Sequence, residues 1–195
     1  MATPSTPVAP SNWNVPNLIT VVRILLAPLF IWMLLADAGQ DGALRWAAAV
    51  LFILAIATDG IDGAIARKHN LVTDLGKLLD PIADKVLTGG ALVALSILGE
   101  LWWWVTIVIL VREIGVTLLR FWVIRHGVIP ASRGGKWKTA FQMAAIVGYL
   151  LPVPDWLLPV RVALMAVAVV LTVVTGVDYV VRAMRLRSAA RAATA

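Results

Sequence analysis

Six apolar stretches, at residues 17–36, 43–68, 74–98, 101–125, 138–152 and 156–181, divide the chain. About 20 residues rising about 1.5 Å each cross a hydrocarbon core of about 30 Å, so most of these stretches are long enough to span a bilayer. The fifth is the shortest. The second and third run on past their apolar parts into a segment rich in aspartate. Hydrophobic residues make up 61% of the chain and charged residues only 14%, too little polar surface for a soluble domain of this length. The expected fold class is an all-α integral membrane protein with six transmembrane helices.

Charge sets the expected orientation. The connections "ADAGQDG", "LGE" and "LPVPD" hold no Lys or Arg, whereas Arg67, Lys68, Arg125, Arg133, Lys136, Lys138, Arg182, Arg185, Arg187 and Arg191 gather at the other ends of the spans. Cytoplasmic loops carry the excess of Lys and Arg, which places both termini in the cytoplasm. Arg45 and Arg161 are exceptions near the opposite face. Trp32, Trp46, Trp102, Trp103, Trp104 and Trp156 fall near that outer boundary, where indoles anchor at the interface. Residues 1–14 read as a flexible tail rather than a cleaved signal, because they lack a basic start. Residues 15–185 read as the membrane domain and 186–195 as a basic, flexible C-terminal tail.

The chain has no cysteine, which excludes a disulfide framework, a thiolate metal site and a Cys nucleophile. With two histidines, His69 and His126, a multi-His zinc site is not expected. The net charge of +6 sits in short clusters, which suits a membrane surface or a phosphate ligand better than a nucleic-acid groove.

The unusual segment is "TDGIDGAIARKHNLVTDLGKLLDPIADK", residues 58–85, between the second and third spans on the basic side. Asn70 and Thr73 suit a helix end and a helix start, and Asp74 a first-turn acid. With the two helices antiparallel about that turn, Asp59 comes level with Asp84 and Asp62 with Asp80. Asp59 and Asp62 are three residues apart, Asp80 and Asp84 four, so each pair shares a helix face. Four carboxylates converging roughly 10–20 Å in from the turn, at about 1.5 Å per residue, repel one another and lose hydration unless cations compensate. Oxygen-only ligands select hard divalent ions, Mg²⁺, Mn²⁺ or Ca²⁺. The plainer alternative is capping and pairing with Arg67, Lys68, Lys77 and Lys85. Gly60, Gly63 and Gly76 beside the acids suit either close helix packing or room for a bulky ligand.

Residues 59–84 read D-x2-D-G-x2-A-R-x8-G-x3-D-x3-D. This pattern resembles the CDP-alcohol phosphotransferase signature at all its fixed positions, and the six-span layout is similar to that family over nearly the whole chain outside the tails. "NVPNLITVVRILLAP", "LLDPIADKVL", "VREIGVTLLR" and "SRGGKWKT" resemble the branch that uses glycerol 3-phosphate. The resemblance implies that Asp59, Asp62, Asp80 and Asp84 hold two divalent cations, Mg²⁺ or Mn²⁺, with Asp84 also the general base. It implies that Gly63, Ala66, Arg67 and Gly76 line the site for the CDP head group. It further implies a homodimer, multi-pass in the cytoplasmic membrane with a cytoplasmic active site. The expected reaction carries the phosphatidyl group of CDP-diacylglycerol to sn-glycerol 3-phosphate by metal-assisted single displacement, releasing CMP.

A phosphorylated acceptor requires a second anion site. Arg112, Arg120, Arg133, Lys136 and Lys138 are the basic residues available for it. Arg112 follows the apolar run "WVTIVILV", where a lone cation is costly, and an ion pair with an Asp adjacent in space or with Glu113 is its plainer reading. Arg133, Lys136 and Lys138 read as part of a glycine-containing loop, with ordinary positive-inside charge as the alternative. Asn17, Thr20 and Arg23 open the first span on the same side, where closing the nucleotide site and capping the helix are equal readings. Inositol phosphate as acceptor, an intramembrane prenyltransferase and a cation transporter are the competing functions. A prenyltransferase wants two aspartate motifs far apart, and a transporter wants internal repeats or broken helices.

Overall fold

The structure, a computed structural model, describes residues 14–68, 73–123 and 133–192. They form six α-helices and one short 3-10 turn: α1 Val15–Asp37, α2 Ala43–Lys68, α3 Asp74–Ile97, α4 Trp103–Val123, α5 Arg133–Leu150, the turn Asp155–Leu157, and α6 Leu158–Ala192. The all-α expectation holds. Three helices are long and apolar enough to cross a membrane, over Val15–Asp37, Ala43–Gly60 and Leu158–Ser188. The other three carry at least three charged residues each, such as Asp80, Asp84 and Lys85 on α3 and Arg112 and Glu113 on α4.

Local chemistry explains the helix ends. Asn14 sits in extended backbone and its side chain accepts from the Asn17 N–H at 2.9 Å, with Pro16 following, so α1 begins with a cap and a residue preset for the first turn. Ala38, in left-handed backbone (φ 52°), closes the helix. Asp37 then takes the backbone N–H groups of Asp41 and Gly42, each at 3.0 Å, which binds the connection to α2. Thr73 caps α3 by accepting from the Gly76 N–H at 3.0 Å. Asn70 and the histidines lie outside the described residues.

Two helix boundaries differ from the sequence expectation. Arg133, Lys136 and Lys138 belong to the first turns of α5 and not to a loop. Two glycines cost about 1 kcal/mol each relative to alanine in a helix interior, but less in a first turn, and Lys, Trp, Lys and Ala beyond them extend the helix readily. At the other end, α6 continues as helix through 186–192, the start of the expected tail. Arg185, Leu186, Arg187, Ala189, Ala190 and Arg191 are strong helix formers, and nothing in this run breaks the helix.

The chain divides into two compact units at Gly90, within α3. In the first, α1 packs along α2 through Ala27, Phe30, Leu34, Ala48, Ala49 and Phe52, with the Phe30 and Phe52 ring centroids 5.2 Å apart. In the second, α6 packs on α5 and on α4. There the Ser96 and Thr106 hydroxyls bond at 2.7 Å.

Burial follows the logic of a lipid solvent. Many Leu, Val and Ile side chains and the six interface tryptophans stand exposed, while Thr20, Arg23, Arg45, Ser96, Thr106, Lys138, Gln142, Thr172 and several alanines are buried, alongside larger core residues such as Phe30, Leu34, Phe52 and Leu92. Small and polar residues in the seams with large apolar ones outside is the pattern of helices packing in a bilayer.

Candidate active site

In the first unit, α1 presents Asn17, Thr20 and Arg23 on one buried face, at spacings of three. Each reaches the segment that carries the aspartates. Asn17 Nδ2 donates to Thr73 Oγ1 at 2.8 Å. Thr20 Oγ1 donates to Asp80 Oδ1, also at 2.8 Å. Arg23 pairs with Asp59 Oδ1. The cap of α1 is Asn14; all three side chains reach the aspartate hairpin, and Thr20 Oγ1 also bonds the Pro16 carbonyl in the first turn at 3.1 Å.

Asp59 and Asp80 are therefore held from one side, by a guanidinium and a hydroxyl. Among the described residues, the second oxygen of each carboxylate, Oδ2, makes no hydrogen bond. Both side chains are open to solvent, Asp59 at 49%. Asp84 lies one turn along α3 from Asp80 and is half-buried, and its backbone carbonyl accepts from Thr88 Oγ1. Asp62, Ala66 and Arg67 follow Asp59 on α2, but their side chains fall outside the described set. Among the described residues, which do not include the Asp62 side chain, no three acidic or histidine side chains cluster as metal ligands.

The glycines separate by role. A Cβ on Gly76 would lie 2.6 Å from Asn17 Oδ1, so the missing side chain is what lets Asn17 reach Thr73. A Cβ on Gly60 would meet nothing within 4 Å, so Gly60 borders open space beside Asp59. Close packing accounts for the first glycine and not for the second.

In the second unit the basic residues also find partners. Arg112 NH1 donates to Glu113 Oε1 at 3.1 Å, and Lys138 Nζ pairs with the same oxygen. Arg112 NH2 donates to Thr175 Oγ1 at 3.0 Å. The ion pair anticipated for Arg112 is present, and Lys138 shares it. Lys136 is exposed two residues earlier on α5, and the side chain of Arg133 is outside the described set. Sequence reasoning passed over Lys138 as a partner of Glu113, and Gln142, Thr175 and Tyr179 altogether. The polar Thr172, Thr175 and Tyr179 within the apolar run of α6 were the available signal.

A model of the CDP-alcohol phosphatidyltransferase family matches residues 13–174. The chain belongs to this family. The matched CDP-alcohol phosphatidyltransferase region contains every aspartate of the signature, the Arg112, Glu113 and Lys138 cluster and the first part of α6 up to residue 174. Among curated relatives, a probable phosphatidylglycerophosphate synthase of Mycobacterium tuberculosis is 49% identical over 172 residues, covering 88% of this chain and 82% of the relative. A CDP-diacylglycerol–glycerol-3-phosphate 3-phosphatidyltransferase of Bacillus subtilis is 42% identical over 149 residues, 71% of this chain and 77% of the relative. The protein of the same description from Mycoplasma pneumoniae is 36% identical over 162 residues, 74% of this chain and 71% of the relative.

Proposed function

We propose that this CDP-alcohol phosphatidyltransferase transfers the phosphatidyl group of CDP-diacylglycerol to sn-glycerol 3-phosphate, giving phosphatidylglycerol phosphate and CMP. The observation that carries this reading is the complete signature on α2 and α3, in a chain similar along most of its length to proteins described by that reaction. Asp59, Asp62, Asp80 and Asp84 would hold the divalent cations, Mg²⁺ or Mn²⁺. The donor set fits such ions: all its atoms are carboxylate oxygens, and the Oδ2 atoms of Asp59 and Asp80 are free of hydrogen bonds among the described residues. When bound, the ions neutralise the diphosphate and the charge that develops on departing CMP.

The chain's own residues supply the rest. Thr20 and Arg23 fix two carboxylates from behind, so these need little reordering before they act. Gly60 leaves room beside Asp59, and Gly63, Ala66 and Arg67 would border the place for the CDP head group, with Gly76, Asn17 and Thr20 in the buried layer behind it. The primary hydroxyl of glycerol 3-phosphate attacks the β-phosphorus, and the bond from that phosphorus to the CMP oxygen breaks. The hydroxyl proton passes to the Asp84 carboxylate. The acceptor's phosphate is held by Arg112 and Lys138, with Arg133 and Lys136 nearby on α5.

The site faces the cytoplasm in this reading, with both termini on that side and all six helices crossing the cytoplasmic membrane, and the enzyme works as a homodimer. The diacyl chains stay in the bilayer while the head group meets a soluble acceptor. The test is CMP release by the purified protein in detergent with CDP-diacylglycerol and Mg²⁺ or Mn²⁺, offering glycerol 3-phosphate, inositol phosphate and serine separately. Release with glycerol 3-phosphate alone is expected. Release only with another acceptor would overturn the substrate and leave the reaction class standing.

A further inference from the structure

Glu113 occupies an unusual position. Its Oε1 accepts from Arg112 NH1 at 3.1 Å and from Lys138 Nζ, so two cations from different helices converge on one carboxylate oxygen. The guanidinium is fixed on its other side by Thr175, and its stem lies so close to α6 that a Cβ on Gly176 would meet Arg112 Cγ at 3.0 Å. Among the described residues, two positive charges face one negative charge in a place where Lys138 is 5% exposed. Such an imbalance in a poorly solvated site favours a further anion.

The surroundings are polar beyond what the ion pair uses. Arg112 Nε, Gln142 Oε1, Thr172 Oγ1 and Tyr179 OH are buried without a hydrogen-bond partner. Gln142 is one helical turn from Lys138, and Thr172 and Tyr179 flank Thr175 by a turn on either side. Buried polar atoms are normally bonded, so several unpaired ones about one ion pair, among the described residues, leave donors and acceptors for a polar guest.

We propose that Glu113 is a specificity-determining positioning residue of the acceptor site. Its carboxylate stands where the acceptor's phosphate binds, between Arg112 and Lys138, and releases both cations when the phosphate arrives. This rests on the reading of Arg112 and Lys138 as the acceptor-phosphate residues. A phosphate monoester carries roughly −1.5 to −2 charges near neutral pH and three acceptor oxygens, so it serves both a guanidinium and an ammonium better than one carboxylate oxygen does. Carboxylate and phosphate cannot share the two cations closely, because like charges repel strongly there. Binding is therefore an exchange. A neutral polyol or a zwitterion such as serine recovers less than the broken ion pair loses, and Glu113 acts as a threshold against ligands without a dianionic group.

The experiment is steady-state CMP release in detergent by wild type, Glu113→Gln, Glu113→Asp and Arg112→Gln. Glycerol 3-phosphate and CDP-diacylglycerol are each varied with the other saturating, inorganic phosphate serves as competing anion, and Tm reports folding. Removing the competing charge is expected to lower both the KM for glycerol 3-phosphate and the Ki of phosphate about three- to tenfold in Glu113→Gln. Glu113→Asp, which keeps the charge on a shorter stem, should shift both in the same direction by less. Arg112→Gln should raise the KM for glycerol 3-phosphate. A carboxylate that only braces the two cations would give the opposite sign, a higher KM and Ki in both Glu113 variants. Unchanged or raised values, with Arg112→Gln still raising the glycerol 3-phosphate KM, overturn the proposal alone. An Arg112→Gln effect confined to the CDP-diacylglycerol KM would overturn the acceptor-site reading itself. Should Glu113→Gln fail to fold, the sign of the Glu113→Asp shift decides.

Discussion

Thr20 on α1 donates its hydroxyl to Asp80 on α3 across 2.8 Å, although 60 residues separate them. A hydroxyl that is only 1% exposed thus orients a carboxylate of the signature from behind. A hydrogen bond to a charged group contributes about 1.5–3 kcal/mol. Thr20→Val keeps the shape and deletes the donor. We expect the Mg²⁺ concentration for half-maximal CMP release to rise about three- to tenfold, because a freely turning Asp80 must be ordered at the moment of binding. Thr20→Ser should stay near wild type. Metal titrations of the three proteins check this, and an unchanged midpoint in the valine variant would deny Thr20 its orienting role.

Gly76 and Asn17 should be coupled. The Cβ of Gly76→Ala would fall 2.6 Å from Asn17 Oδ1 and push the amide away from Thr73. Overpacking of this kind costs about 1–3 kcal/mol. Asn17→Ala opens the space again, so the double variant should lose less than the sum of the single ones. Thermal unfolding of the four proteins in detergent measures the coupling, and strict additivity would count against the contact.

How much of this was legible in the sequence differs between helix and contact. The apolar runs located all six helices, because length and hydrophobicity are local properties. The signature located the aspartates in the same way. The sequence placed Asn17, Thr20 and Arg23 at the cytoplasmic start of the first span, but not against Asp80 and Asp59. Those partners are 60 and 36 residues away and only tertiary packing brings them together. Glu113 was readable beside Arg112, its neighbour in the chain. Its bond to Lys138, 25 residues on, was not. The start of α5 was hidden by its glycine pair, which signals a loop when read locally.

Asp37 offers a contrast, since its role is structural. It is buried, and its carboxylate accepts the N–H groups of Asp41 and Gly42 in the connection between α1 and α2. Asp37→Ala leaves both donors without that carboxylate, at about 1–3 kcal/mol each before water compensates. A clear fall in Tm is expected, with the KM values for both substrates unchanged at a temperature where the variant is folded. A selective rise in either KM would place the connection nearer the chemistry than we do.

The Ser96–Thr106 pair tests the same asymmetry inside the second unit. The two buried hydroxyls bond to each other at 2.7 Å, and Thr106 also donates to the Leu92 carbonyl at 3.2 Å. Ser96→Ala should cost about 1–2 kcal/mol by leaving Thr106 short of a partner. Adding Thr106→Val should recover part of that loss, as replacing both polar groups by apolar ones of similar shape is close to neutral. Unfolding midpoints of the single and double variants report it.

The central claim is that Asp59, Asp62, Asp80 and Asp84 act as one site. The most direct measurement is the CMP-release rate with glycerol 3-phosphate for the four single Asp→Asn variants, each shown to be folded, across a range of Mg²⁺ and Mn²⁺. Groups acting as a unit fail together, so each variant should lose about a hundred- to a thousandfold in rate, and added metal should not restore it fully. Two or more folded variants with near-wild-type rates at ordinary metal concentrations would contradict the account.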